Sequence, residues 1–138
     1  MKLDAHGLEI ELRPARVADD EGWCRVHVYA EASGFSGRFE AWLQVEDLAR
    51  FRRELAAMYA SVGRASTATL ASAEPDIWVE LTMRTLGGIA GRYELESERR
   101  DGAATMLSGA FELDQSFLPE LQESVGLLIQ QLQGQNVA

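Results

Sequence analysis

Two histidines, His6 and His27, and a single cysteine, Cys24, are the side chains of this 138-residue chain best suited to nucleophilic, acid–base or metal chemistry. Cys24 and His27 form a C-x-x-H pair, but side chains on a strand alternate between faces, so the two point to opposite sides and share no metal ion. No second cysteine pair, H-E-x-x-H or calcium-loop pattern is present in the sequence. Nucleophilic catalysis needs a nucleophile, a base within reach and an orienting group. His27 is the one credible base, and no G-x-S-x-G elbow supplies it with a serine. Gly34-x-x-Gly37 and Gly87-Gly88-x-x-Gly91 open no helix, so they read as turns and close strand packing rather than phosphate cradles. The expectation is a non-enzymatic protein with no catalytic residue, metal or cofactor.

A row of carboxylates and a set of off-core aromatics carry more information. Spacing of two places Glu94, Glu96 and Glu98 on one strand face, neighbours roughly 6.5–7 Å apart. That is wide for a chelating pair, and Arg92 heads the same row. The row is either a solvated outer face or an acidic strip that meets basic side chains of a partner. Asp19, Asp20 and Glu21 form a second acidic spot in a loop. Trp23, Tyr29, Trp42 and Trp78 all fall on the polar parity of their strands, with His27 among them. Large aromatics on an open sheet face need a second layer or a partner to cover them, and Trp and Tyr are favoured binding anchors. Trp42, Trp78, Tyr29, Glu94, Glu96 and Glu98 are therefore the candidate partner-binding residues.

The totals agree with a protein partner. There are 22 acidic and 13 basic groups, a formal charge of −9. Nucleic-acid binding is disfavoured, because phosphate contacts need clustered Lys and Arg, whereas a basic protein would be steered toward this surface. Apolar runs fall short of the ~18–20 residues that span a bilayer, so no membrane association is expected. The N-terminal stretch lacks the apolar core of a secretory signal. The lone Cys24 fits a reducing compartment, and the expected location is cytoplasmic.

The elements that must position these residues follow from periodicity. Leu8, Ile10 and Leu12 alternate with charged residues up to Pro14; Trp23 to Ala32 and Phe35 to Leu43 alternate likewise around a Ser33-Gly34 turn. The period then changes: Val45, Leu48, Phe51, Leu55, Met58, Tyr59 and Val62 form one stripe of an amphipathic helix, with Gly63 beyond its end. Four further strands are expected at about Ala65–Ala71, Asp76–Arg84, Ile89–Glu98 and Thr105–Leu113, with hairpin signals at Gly87-Gly88 and Asp101-Gly102. A closing helix begins near Asp114 or Ser116 and buries Leu118, Leu121, Val125, Leu128 and Leu132. The expectation is a single α+β domain over residues 1–138, with an antiparallel sheet of about seven strands in the order βββαββββα and both helices on one face. The terminus around His6 is expected to be mobile.

Several of these elements carry a resemblance. Phe35, Gly37 and Phe39 lead into Asp47, Leu48 and Phe51 as an F-x-G-x-F strand before a D-L-x-x-F helix. Asp114-Gln115-Ser116 with Leu118 opens the last helix as DQS-x-L. Over about residues 23–132 the chain resembles the bacterial WapI-type immunity proteins, a family of small α+β domains. The resemblance implies a cytosolic protein that neutralises a cognate toxin domain by binding it; it brings no catalytic residues. The residues alone leave two other readings open. One is a small-molecule-binding domain with the aromatics lining a pocket, the other a homo-oligomer, such as a homodimer, with the aromatic face as its contact.

Overall fold

A computed structural model describes residues 1–74, 76–98 and 102–134. Strands β1 (Lys2–Ala5), β2 (Leu8–Arg16), β3 (Trp23–Ala32) and β4 (Phe35–Gln44) precede helix α1 (Val45–Ala60). Strands β5 (Ser66–Ala71), β6 (Ile77–Met83), β7 (Gly88–Glu98) and β8 (Ala104–Asp114) precede a 3-10 turn at Gln115–Phe117 and helix α2 (Leu118–Leu132). The architecture is α+β, but the expected single seven-stranded sheet is replaced by two four-stranded antiparallel meanders, β1-β2-β3-β4 and β5-β6-β7-β8. Each meander is followed by one helix, so one architecture occurs twice in sequences that show no repeat.

The eighth strand is the short N-terminal one. Lys2–Ala5 alternates exposed and buried, with Leu3 and Ala5 inside. Its four residues are too few for a periodic signal to stand out. The terminus is therefore not loose: the Met1 amine donates to the Leu12 carbonyl at 3.0 Å, and burial pushes this amine down to about 6. β2 also runs past Pro14, which sits beside a register shift between Pro14 and Arg16, where an irregularity tolerates a residue without an N–H.

The β3–β4 turn adopts the geometry that its residues favour. Ser33 and Gly34 both have positive φ, 48° and 94°, as a two-residue hairpin turn requires. The strands flanking Asp101-Gly102 pair from Glu98↔Ala104 onward, while Asp101 itself lies outside the described residues. Glu46 and Asp47 occupy the positive end of α1, and the Asp47 carboxylate accepts from the Gln44 N–H at 3.0 Å. Asp114 accepts from the Ser116 N–H and so caps the 3-10 turn that leads into α2, with Pro119 in the helix's first turn.

The two helices pack on each other and reach across the halves: α1 lies against β5, and α2 against β1 and β2. Leu48, Phe51, Leu55 and Met58 of α1 and Leu118, Leu121, Val125, Leu128 and Leu132 of α2 enter one core with the inner faces of both sheets. Burial of each such side chain contributes roughly 1.5–3 kcal/mol before entropy is charged. Tyr59 and Val62 depart from the expected stripe, 49 % and 46 % exposed, because Met58 takes the buried side of the last turn and Val62 lies beyond the end of α1 at Ala60.

Within β7 and β8 the core contains a reciprocal device. Gly91 pairs with Phe111 and Tyr93 with Gly109. The Phe111 ring occupies the space a Cβ on Gly91 would take, and the Tyr93 hydroxyl lies 2.7 Å from where a Cβ on Gly109 would stand. The rings are 6.3 Å apart, each lying over the glycine of the opposite strand.

Cys24 is fully buried, its Sγ donating to the Leu43 carbonyl at 3.3 Å. Burial pushes the thiol up to about 11, with Asp47 and Asp19 adding to the rise. A raised folded value means that its stabilising contribution is complete below the ordinary value of 9.0 and is lost as pH rises toward 11. Alkylation by iodoacetamide at pH 8 should therefore run at least ~100-fold slower in the native chain than in urea; equal rates would show the thiol to be accessible.

Candidate functional site

The sequence-derived residues fall on the outer faces of the two sheets. On the first sheet, the register places Arg16, Arg25 and Trp42 in one row, Arg13, His27 and Glu40 in the next, and Glu11, Tyr29 and Arg38 in a third. No loop or terminus is needed to explain how these rings are covered, because arginines of the same face lie over them. The Arg25 guanidinium is 5.1 Å from the Trp42 ring centre and pairs with Glu40 at 2.6 Å; that of Arg13 is 5.1 Å from the Tyr29 ring and pairs with Glu11 at 2.7 Å. Each cation–π contact at such an exposed site stabilises by about 0.5–1 kcal/mol. His27 joins this network with Nδ1 3.6 Å from Glu40 Oε1, on the face opposite the buried Cys24.

Trp42 remains 38 % exposed. Its truncation removes one cation–π contact and little core, so Trp42→Ala should cost about 1 kcal/mol or less. Thermal unfolding checks this, and a loss several times larger would show the indole to be a core residue.

On the second sheet, Trp78 stands directly opposite Glu94, with Glu80 opposite Arg92 in the adjacent row. Glu96 and Glu98 continue the β7 row, opposite Met106 and Ala104. Ala90, Ser108 and Ala110 leave a shallow depression of about 600 Å³ beside Trp78, with Arg84, Arg92, Glu94 and Glu112 around it. Glu94 and Glu98 are exposed and Glu96 is half-buried. Among the described residues no salt bridge reaches any of the three.

The two outer faces meet at a seam that sequence reasoning did not find. The carboxyl of Asp76, at the entry to β6, faces the Trp42 backbone N–H, and the Asp76 carbonyl accepts from the Glu96 N–H at 3.0 Å. Burial raises the Asp76 carboxyl above its ordinary value, and Glu74, Glu96 and Glu98 raise it further, while the Trp42 N–H opposes them. A carboxyl raised on folding takes stability away as pH climbs past its ordinary value of 3.8, so at neutral pH the burial of this carboxylate, and after it the like charges beside it, works against the fold. Asp76 lies at a strand boundary, and nothing in its local pattern indicates that β4 passes beside it.

Trp78, Glu94, Glu96 and Glu98 are thus together on one face, and Trp42 adjoins them through Asp76. Tyr29 is not part of that strip: the His27–Glu40 row separates it from Trp42, and it lines a different depression with Glu9 and Arg38. The Asp19 carboxylate of the other acidic spot is occupied by its own loop, accepting from the Glu21 and Trp23 N–H groups at 2.9 and 3.0 Å. Among the described residues, no three His, Cys, Asp or Glu side chains stand close enough to hold a metal ion. No described helix is long and apolar enough to cross a membrane.

Comparison with known proteins adds a family to this geometry. Among solved structures, WHY1 from Arabidopsis thaliana is similar at a TM-score of 0.42 and 11 % identity, with 97 % of this chain and 90 % of that one covered. No curated protein matches the sequence. A family model described as the immunity protein WapI-like family matches residues 2–133. With nearly its whole length matched, the chain belongs to the WapI-like immunity protein family.

Proposed function

We propose that this protein is a cytoplasmic immunity protein that neutralises a cognate toxin domain by binding and occluding it, without catalysing a reaction. The observation that supports this best is the seam. Trp42 and Trp78 flank Asp76, Glu96 and Glu98, so two indoles and a group of carboxylates form one surface. Like charges held together at a cost to folding are expected where a surface is kept for a partner. Indoles supply anchoring area, and carboxylates supply steering and orientation toward a basic partner. A toxin that acts on nucleic acid carries basic groups at its active site, and an acidic face fits over such a site. Trp42, Trp78, Glu94, Glu96 and Glu98 form the proposed contact surface; Tyr29, separated from Trp42 by one row on the first sheet, falls outside it.

Co-expression tests the proposal. The toxin domain encoded beside this gene should arrest growth when expressed alone and should not do so when this chain is present. Continued arrest with a soluble, folded chain would contradict the proposal.

A further inference from the structure

β8 pairs with β7 on one side, and no strand among the described residues pairs with its other side. The direction of its free groups follows from one bond. The Glu96 N–H donates to the Asp76 carbonyl, so Glu96 turns its backbone toward β6. Backbone groups of successive residues in an antiparallel ladder point to opposite sides, so Leu95, Tyr93 and Gly91 turn theirs toward β8. Their partners Leu107, Gly109 and Phe111 complete that ladder. Met106, Ser108 and Ala110 therefore aim N–H and C=O away from β7, and all three are exposed.

Such a row is a template for another strand, and sheets ordinarily guard it with a charge, a proline or a short edge. The other edges are guarded. β1 has four residues, with Lys2 and Asp4 facing out; β4 carries the exposed Arg38 and Glu40; β5 packs against α1. β8 has eleven residues, no lysine, arginine or proline, and no charge before Glu112.

The depression beside Trp78 opens onto this edge, because the β8 side chains that line it there, Ser108 and Ala110, are small. The charges lining it alternate along the strands: Glu94 stands opposite Ser108, Arg92 opposite Ala110, and Glu112 opposite Ala90. Arg84 closes the end nearest the β6–β7 turn. No ion pair among the described residues engages Glu94, Arg92 or Glu112. A strand added beyond β8 would lie about 9–10 Å from β7, two strand spacings, a gap that long side chains cross over Ser108 and Ala110. Its inward side chains would continue the row of Leu107, Gly109 and Phe111 and so must be apolar. A second copy of this chain, of net charge −9, would bring its own carboxylates to this face.

We infer that an extended segment of the toxin pairs with the free edge of β8 as a fifth strand of the second sheet. It carries a basic side chain opposite Ser108, an acidic one opposite Ala110 and a basic one opposite Glu112, with apolar side chains between them. This rests on the toxin-binding reading and names the chemistry of the partner segment.

The test is an NMR titration of the full chain with the blocked peptide Thr-Lys-Val-Glu-Val-Lys-Thr and with its charge-reversed form, Thr-Glu-Val-Lys-Val-Glu-Thr. The first should bind saturably and slow hydrogen exchange at the Met106, Ser108 and Ala110 amides, while the Leu107 and Gly109 amides, already paired with β7, change little. The reversed peptide should bind at least ~5-fold more weakly. So should the first peptide on a Ser108→Pro variant, which loses an edge donor and leaves the β7–β8 ladder intact. A Ser108→Lys variant, whose added cation faces Glu94, should weaken binding likewise, and it keeps the test decisive if the proline disturbs the strand. No saturable binding, equal binding of the two peptides, edge amides left unprotected by the peptide, or full affinity of the variants would each overturn the inference. So would edge amides already protected in the free chain in proportion to its concentration, the sign of two copies pairing there. The two proposals fail separately. Protection from the toxin by a folded Ser108→Pro variant at wild-type potency sinks the strand addition and leaves the immunity reading standing, whereas no protection by the wild-type chain sinks the immunity reading itself.

Discussion

Replacing Glu96 and Glu98 together by lysine should weaken the complex with the cognate toxin domain by about 100-fold, mostly through slower association. Both carboxylates lie on the β7 outer face, and no ion pair within the described chain depends on them. The substitution also removes two of the three carboxylates that raise the Asp76 carboxyl, so folding stability should hold or increase. Affinity is thus expected to fall with no loss of stability, a result that general misfolding cannot produce. Stopped-flow association and thermal unfolding, measured on the same preparation, check the two halves. A variant that binds as fast as the wild type would remove the carboxylates from the contact surface.

The largest effect on folding should come from a residue with no side chain. Gly91→Val places a branched side chain where the Phe111 ring already lies, between strands that also hold Tyr93 against Gly109. Overpacking of a filled core costs about 3 kcal/mol at a site this confined. Adding Phe111→Ala vacates the conflicting space, so the double variant should be less destabilised than the sum of its parts. Urea unfolding of the four chains measures this. Strict additivity would show that the ring and the glycine are energetically independent.

Much of this arrangement was legible from alternation alone. The register of β3 with β4 and of β6 with β7 keeps Trp42 and Trp78 on the faces that their parity assigned, and Cys24 opposite His27. The buried stripe of α2 emerges residue for residue. Alternation is local, however, and it says nothing about which strand is an edge. The break between β4 and β5 that makes two sheets of one, and the short β1 that completes the first of them, depend on long-range pairing.

The same limit applies to the site. Glu94 and Trp78 were assigned to outward faces separately, and only the register makes them neighbours. Trp42 comes beside Asp76 because the two sheets meet where β4 ends and the chain enters β6, a contact between residues more than thirty positions apart. Phe35 has core parity and is nevertheless exposed, because parity assigns a side and not a covering. The arginines over Tyr29 and Trp42 explain how rings persist on an outer face without a second layer, and they come from neighbouring strands, Arg25 directly opposite Trp42 and Arg13 diagonal to Tyr29, which a single strand cannot display.

The association of purified chain with the purified toxin domain, followed across ionic strength, tests the central claim most directly. A saturable complex whose association rate falls at least ~10-fold between about 0.05 M and 0.5 M salt is the predicted result. No complex at low salt, or a tight complex that forms equally fast at both, would contradict it.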